Sequence, residues 1–330
     1  MSLRFKNFRR GFKIFAAAVI FILAVIIAVF PERYLKSSFS GIKLWAFSVL
    51  PSLLPYFFLT TVLTKLNVLD GVFKKFDKPN GKLFRVKGIV SYAFFSSVIS
   101  GYPVGAKILS DMYAGGLLSE GEVKRAAPLC STSGPLFIIG AVGVSMFLSK
   151  TAGVIMLIAH VLSAVFAALT FRGVKGEILA SDKTLLPQKC DNILYEAAYG
   201  AVNSVLIVGA YVAVFFVISD ILFDFKILLP LSFVLKPIFS IFGASGCEYY
   251  FISGLMECTK GAKLLSTLGA LPKTVALSAS LISFGGVSVI MQSLTYLSGA
   301  KVKPLYFLTV KSVQAFYAFL LAFLLSYLFL

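Results

Sequence analysis

The chain has 330 residues, 58% of them hydrophobic and 14% charged, with a mean hydropathy of +0.92, a composition that excludes a soluble globular protein. At about 20 residues per transmembrane helix, its apolar residues fill at most roughly nine spans. The 31 Lys and Arg against 14 Asp and Glu leave a net charge of +17, which reads as loop orientation rather than nucleic-acid binding, because cytoplasmic loops collect Lys and Arg.

In chain order, Arg4, Lys6, Arg9, Arg10 and Lys13 precede an apolar run from Ile14 to Phe30 that ends at Pro31, Glu32 and Arg33. Without an A-x-A cleavage site, the run predicts an uncleaved first membrane helix with its basic end inside. A second span over 44–66 leads to Lys74, Lys75, Lys78, Lys82, Arg85 and Lys87, a basic cluster that the same rule places in the cytoplasm. Tyr34, Trp45 and Tyr56, near span ends, fit an interfacial aromatic belt.

Further apolar stretches lie at 89–110, 127–148, 151–171, 200–223, 227–243, 247–265, 274–296 and 305–329. The first of these carries Gly101, Pro103 and Gly105 at its middle, where helix formation is weakest. It predicts a re-entrant hairpin or broken helix, with a kinked ordinary helix as the alternative. Irregular backbone at membrane depth is tolerated only where it is buried in protein or lines a wet cavity, so the break marks a candidate site. The stretch 227–243, interrupted by Pro230, Lys236 and Pro237, reads as interfacial.

An offset of about 155 residues brings the two halves into register, the sign of an internal repeat. Ser100-Gly101…Gly105-Ala106-Lys107 matches Ser253-Gly254…Gly261-Ala262-Lys263, with three more residues between the ends of the second copy. Ser48-Val49-Leu50 matches Ser204-Val205-Leu206, and Ser131-Thr132-Ser133-Gly134 aligns loosely with Ser283-Phe284-Gly285-Gly286. The expected organisation is one membrane domain over 1–330: a basic N-terminus and first helix (1–43), repeat 1 (44–171), a cytoplasmic linker (172–199) and repeat 2 (200–330). If 89–110 is re-entrant, each repeat crosses the membrane an odd number of times, so the second copy inserts upside down. The fold class expected is therefore an all-α polytopic membrane protein of two inverted-topology repeats with broken or re-entrant hairpins, as in many secondary transporters. The turn carrying Lys301 and Lys303 is then cytoplasmic and Leu330 lies outside.

The segments S-G-Y-P-V-G-A-K (Ser100 to Lys107) and L-C-S-T-S-G-P-L-F-I-I-G-A-V (Leu129 to Val142) resemble the YlbJ (SpoVV-like) family of sporulation integral membrane proteins. That family carries the Gate, or nucleoside-recognition, domain related to concentrative nucleoside transporters. The resemblance covers about Trp45 to Val310. It implies a role in endospore formation, with dipicolinic acid moved towards the forespore, and a place in the mother-cell-derived outer forespore membrane.

A small planar dianion in low dielectric calls for fixed positive ends. Ser131, Thr132 and Ser133 before Gly134 and Pro135 read as a polar helix cap whose free N–H groups and helix dipole suit a carboxylate, with Ser283, Gly285 and Gly286 as the second-repeat counterpart. Gly101 and Pro103 shape the hairpin tip. Lys107 and Lys263 occupy equivalent repeat positions and are expected to face one cavity, so that replacing either with Ala impairs transport. Snorkelling of these lysines to the interface, and close helix packing by the Ser and Gly stretches, are the competing readings. Glu248, Glu257 and His160 are candidates for proton or sodium coupling, against ordinary solvated or core placement.

Four cysteines, Cys130, Cys190, Cys247 and Cys258, form no C-x-x-C pair, and a single histidine completes no His/Cys cluster, so no metal and no cofactor is expected. G-x-S-x-G, H-E-x-x-H and Walker A patterns do not occur in the sequence, which argues against an enzyme or nucleotide-driven pump. The leading expectation is a permease for a small organic anion in contact with lipid and not nucleic acid. A Na⁺- or H⁺-coupled nucleoside transporter and a non-transporting membrane scaffold in envelope remodelling are the alternatives.

Overall fold

The computed structural model describes residues 2–66, 73–178 and 192–330. Cys190 and residues 179–191 of the linker expected over 172–199 lie outside the described residues, as do the side chains of the N-terminal basic cluster. Among the described residues all regular structure is helical.

Helix α1 (Ser2–Val29) meets α2 (Pro31–Leu44) at a bend of 106°. Pro31 opens α2 at its first turn, where a missing N–H costs nothing. A short, wide turn (Trp45–Val49) leads into α3 (Leu50–Lys65), followed by α4 (Asp77–Leu83). Next come α5 (Val90–Ser100), α6 (Val104–Ala114) and α7 (Glu120–Ala126). Helix α8 (Leu136–Met146) is wound with i→i+5 hydrogen bonding, the Phe147 N–H reaching Val142 O at 2.9 Å. The rest are α9 (Lys150–Phe171), α10 (Ile193–Asp224), α11 (Leu229–Ile241), α12 (Glu248–Met256), α13 (Cys258–Ser266), α14 (Pro272–Phe284), α15 (Gly286–Leu297) and α16 (Pro304–Phe329).

Among the described residues, four segments are long and apolar enough to cross a bilayer: α9, α10, the α14–α15 pair and α16. The bent α1–α2 pair makes a possible fifth. The other apolar stretches are built from shorter pieces. The 13 residues of α11 extend only about 20 Å, short of a hydrocarbon core of about 30 Å, in keeping with an interfacial position.

The aromatic-belt expectation is corrected. Tyr34 is buried and donates to Asp224 of α10 at 3.3 Å. The Trp45 indole donates to Val205 O at 3.0 Å and lies against Gly209 of α10. Tyr56 lines an internal cavity. Tyr34 is buried and Trp45 and Tyr56 are half-buried against protein, because α2 and α3 pack along α10.

Polar contacts gather several loops at one end of the bundle. Arg125 of α7 donates to Arg85 O at 2.8 Å, Val174 O at 2.8 Å and Gly176 O at 3.0 Å. The Tyr306 hydroxyl donates to Lys124 O at 2.8 Å. The Glu120 carboxyl is held below the usual carboxylate range by its hydrogen bond and charge pairing with Lys124, to which Lys301 and Lys303 add. The basic loop after α4, the segment after α9 and the turn before α16 therefore share this end.

Two helical hairpins are pinned at opposite ends. Helices α5 and α6 form one; the Lys87 ammonium, just before α5, donates to Leu117 O, just after α6, at 2.7 Å, so the chain enters and leaves at the basic end. Helices α12 and α13 form the other, closed at its mouth by Lys273 Nζ donating to Gly243 O at 2.9 Å. Beside that mouth Phe242 packs edge-on against Phe319 and Phe323, late in α16, whose first turn lies at the basic end. The second hairpin thus opens opposite to the first.

Candidate functional site

Each hairpin tip crosses a break in a second segment at backbone contact. The first turns at Gly101–Pro103, against the unwound stretch 131–134 that precedes α8. A Cβ on Gly101 would stand 2.9 Å from Gly134 N, and one on Gly134 would stand 2.9 Å from Ile99 O. Thr132 N–H donates to Ser97 Oγ at 3.1 Å across the same crossing. The second hairpin turns at Glu257, against the break between α14 and α15. A Cβ on Gly286 would stand 3.0 Å from Met256 O and 3.1 Å from Cys258 N. Only residues without side chains admit backbones this close.

Both tips border one half-open cavity, whose roughly 660 Å³ of atom-free space includes open solvent. Ser100, Gly101 and Tyr102 come from the first tip, Glu257, Cys258 and Thr259 from the second, and Ser133 and Gly134 from the crossing stretch. Val49 of the wide turn and Leu53 of α3, with Val208 and Val212 of α10, supply an apolar wall, and Gln292 of α15 a polar spot. Apolar walls with a few convergent polar groups are what a small-molecule site offers.

Behind the cavity, two hydrogen-bond ties join the crossings. His160 Nε2 accepts the Ser133 N–H at 2.8 Å, which leaves Nδ1 as the protonated nitrogen, donating to Ser283 Oγ at 2.7 Å. The imidazole is thus the neutral Nδ1–H tautomer, bridging the two breaks. The second tie is Lys311 of α16. Its ammonium donates to the Tyr102 hydroxyl at 2.9 Å, to Ser131 O at 2.9 Å and to Gln314 Oε1 at 2.7 Å. The Tyr102 hydroxyl in turn donates to Ile282 O at 3.2 Å.

The chain is 28% identical to the sporulation integral membrane protein YlbJ of Bacillus subtilis (strain 168) over 327 residues, covering 92% of this chain and 80% of YlbJ. The chain is YlbJ-like. No family model and no solved structure matches it. The likeness and the apolar helices together make it an integral membrane protein.

In this YlbJ-like chain, Gly101, Ser133, Gly134 and Glu257, among the residues singled out from sequence, line the cavity. Pro103 is buried at the start of α6, and Ser283, Gly285 and Gly286 form the second break, where Ser283 binds His160. Ser131 and Thr132 serve the crossing rather than the cavity: Ser131 gives its carbonyl to Lys311, and Thr132 spends its N–H on Ser97. The reading of 131–135 as a cap with free N–H groups is corrected on this point, since the N–H groups of Thr132 and Ser133 already have protein acceptors. Glu248 sits at the mouth of the second hairpin, accepting the Gly246 N–H at 2.9 Å, away from the tips.

The lysine pair is also corrected. Lys107 is half exposed and bridges to Asp111 at 3.0 Å, and Lys263 is exposed. Both lie partway down the second limb of a hairpin, on its outer face, and neither lines the cavity. Lys311 is the residue that sequence reasoning passed over. The signal was present: a lone lysine inside the apolar run 305–329 is a functional candidate by the same rule that singled out the glutamates.

The structure also sharpens the internal match. Counted from the two breaks, Ser97, Gly105, Ala106 and Lys107 align with Ser253, Gly261, Ala262 and Lys263 at one constant spacing. Ser97 therefore replaces Ser100 as the partner of Ser253, and the apparent insertion disappears.

Proposed function

We propose that the chain is a membrane permease, not an enzyme, for a small organic anion, and that the anion is dipicolinate crossing the outer forespore membrane during endospore formation. The observation that carries this reading is the meeting of two broken hairpins, opened at opposite ends, at one cavity backed by a buried lysine. Opposed hairpins with a gap-free internal match support two inverted repeats, the arrangement in which transporters place a substrate between broken helices. Rocking one hairpin and its crossing segment against the other would open the cavity to each side in turn. A scaffold has no use for such a cavity. The choice of dipicolinate rests on the resemblance to the sporulation family and on the similarity to YlbJ. Glu257, a buried carboxylate on the cavity wall, is the candidate carrier of a coupling proton.

The test is dipicolinate flux into liposomes containing the purified protein, together with the dipicolinate content of spores from a deletion strain. Saturable flux and depleted spores are expected. Normal spore content and no flux would reject the substrate assignment.

A further inference from the structure

Lys311 is 0% exposed, and its three hydrogen-bond acceptors, the Tyr102 hydroxyl, the Ser131 carbonyl and the Gln314 amide oxygen, are all neutral. Fastening α16 to the unwound stretch needs only a neutral donor. A lysine buried without an opposing charge is costly to hold as an ammonium, and such residues are retained where they meet a counter-charge in function. Lys311 Nζ stands 4.8 Å from the centre of the Tyr102 ring, and Tyr102 is itself one of the residues that border the cavity. Ser100, also on the cavity wall, is 2% exposed, and its hydroxyl has no hydrogen-bond partner. As a donor the Tyr102 hydroxyl makes a long bond to Ile282 O, 3.2 Å, which its hydrogen can leave for a better acceptor. Glu257 across the cavity directs its oxygens to the Thr259 hydroxyl at 3.1 Å and the Lys260 N–H at 2.8 Å, so the two walls differ in charge.

We infer that the cavity binds a carboxylate on the Ser100 and Tyr102 hydroxyls, with the Lys311 ammonium behind the phenol as the fixed counter-charge. The inference deepens the permease reading and rests on it. Lys311 acts here as a positioning residue: it polarises the phenol and balances the anion without touching it.

The test is calorimetric titration of the purified full-length protein in detergent with dipicolinate and with the monocarboxylate picolinate. Lys311→Gln is expected to weaken carboxylate binding by about 10- to 100-fold. Lys311→Arg, which keeps the charge, recovers most of that loss, and Tyr102→Phe weakens binding by about tenfold. Equal affinity in the wild type and Lys311→Gln, or equal losses in Lys311→Gln and Lys311→Arg, would overturn the inference and leave the permease reading standing. Should Lys311→Gln fail to fold, Tyr102→Phe decides, and unchanged affinity there overturns the inference as well. Lys311-dependent binding of picolinate without binding of dipicolinate supports the inference and rejects the substrate. A wild-type protein that binds neither removes both.

Discussion

The first hairpin turns on Gly101, Tyr102 and Pro103, the second on Glu257 alone. At the first tip no side chain caps the new helix, and Lys311 of α16 donates instead to the Tyr102 hydroxyl of the tip and the Ser131 carbonyl of the crossing stretch. At the second, Glu257 caps α13 itself, its carboxylate accepting the Lys260 N–H where the helix dipole favours negative charge. The two breaks thus carry different groups, a lysine reaching in from another helix at the first and a carboxylate of the tip itself at the second. The small residues that match between the halves, Ser, Gly and Ala, set how closely backbones approach, whereas Tyr102 and Glu257 at the two turns do not match.

The contrast extends to packing, and there the expected effects are largest. A Cβ on Gly105 would fall 2.2 Å from Cys130 O and 2.7 Å from Ser97 Cβ, whereas one on Gly254 would meet the Leu281 side chain, 2.3 Å from its Cδ1. A carbonyl cannot yield and a leucine tip can. Gly105→Ala is therefore expected to cost about 3 kcal/mol or more, and Gly254→Ala about 1–2 kcal/mol, by thermal unfolding in detergent. The reverse order would mean that the first crossing is not made by backbone. Next comes the bridge between the breaks: His160→Ala strands the Ser133 N–H and the Ser283 hydroxyl, an expected loss of about 2–4 kcal/mol by the same measurement. An unchanged melting temperature would show that the crossings are not tied there.

Smaller effects sharpen the chemical side of the comparison. Glu257→Gln keeps an acceptor at the α13 N-terminus, so stability should change by about 1 kcal/mol or less. Uptake driven by a pH gradient should be lost while passive exchange persists; uptake that still follows the gradient would clear Glu257 of a coupling role. Smallest of all, Lys107→Ala and Lys263→Ala should each alter stability by less than about 0.5 kcal/mol. Flux in both should stay near that of the wild type, and a clear loss would return the pair to the site.

Much of this architecture was legible in the sequence because it depends on local chemistry. Gly101 and Pro103 in an apolar run announce a break whatever surrounds them, and the order of apolar stretches already gives an all-helical membrane protein. Side-chain direction was not legible. Lys107 and Lys263 hold equivalent positions, but which face of a hairpin limb meets its neighbour is decided by packing between segments far apart in sequence. The N–H groups of Thr132 and Ser133 looked free for an anion because their acceptors, Ser97 and His160, come from other elements. Trp45 read as an anchor for the same reason, since the carbonyl and glycine it packs on belong to α10.

The central claim is that the two hairpins enter from opposite sides, and cysteine labelling tests it most directly. With the native cysteines replaced by serine, Ala114→Cys near the mouth of the first hairpin and Thr267→Cys near the mouth of the second, both exposed positions, would be treated with a membrane-impermeant maleimide from each side in turn. The account predicts that Ala114→Cys reacts only from the side of the basic loops and Thr267→Cys only from the other; labelling of both from the same side would contradict it.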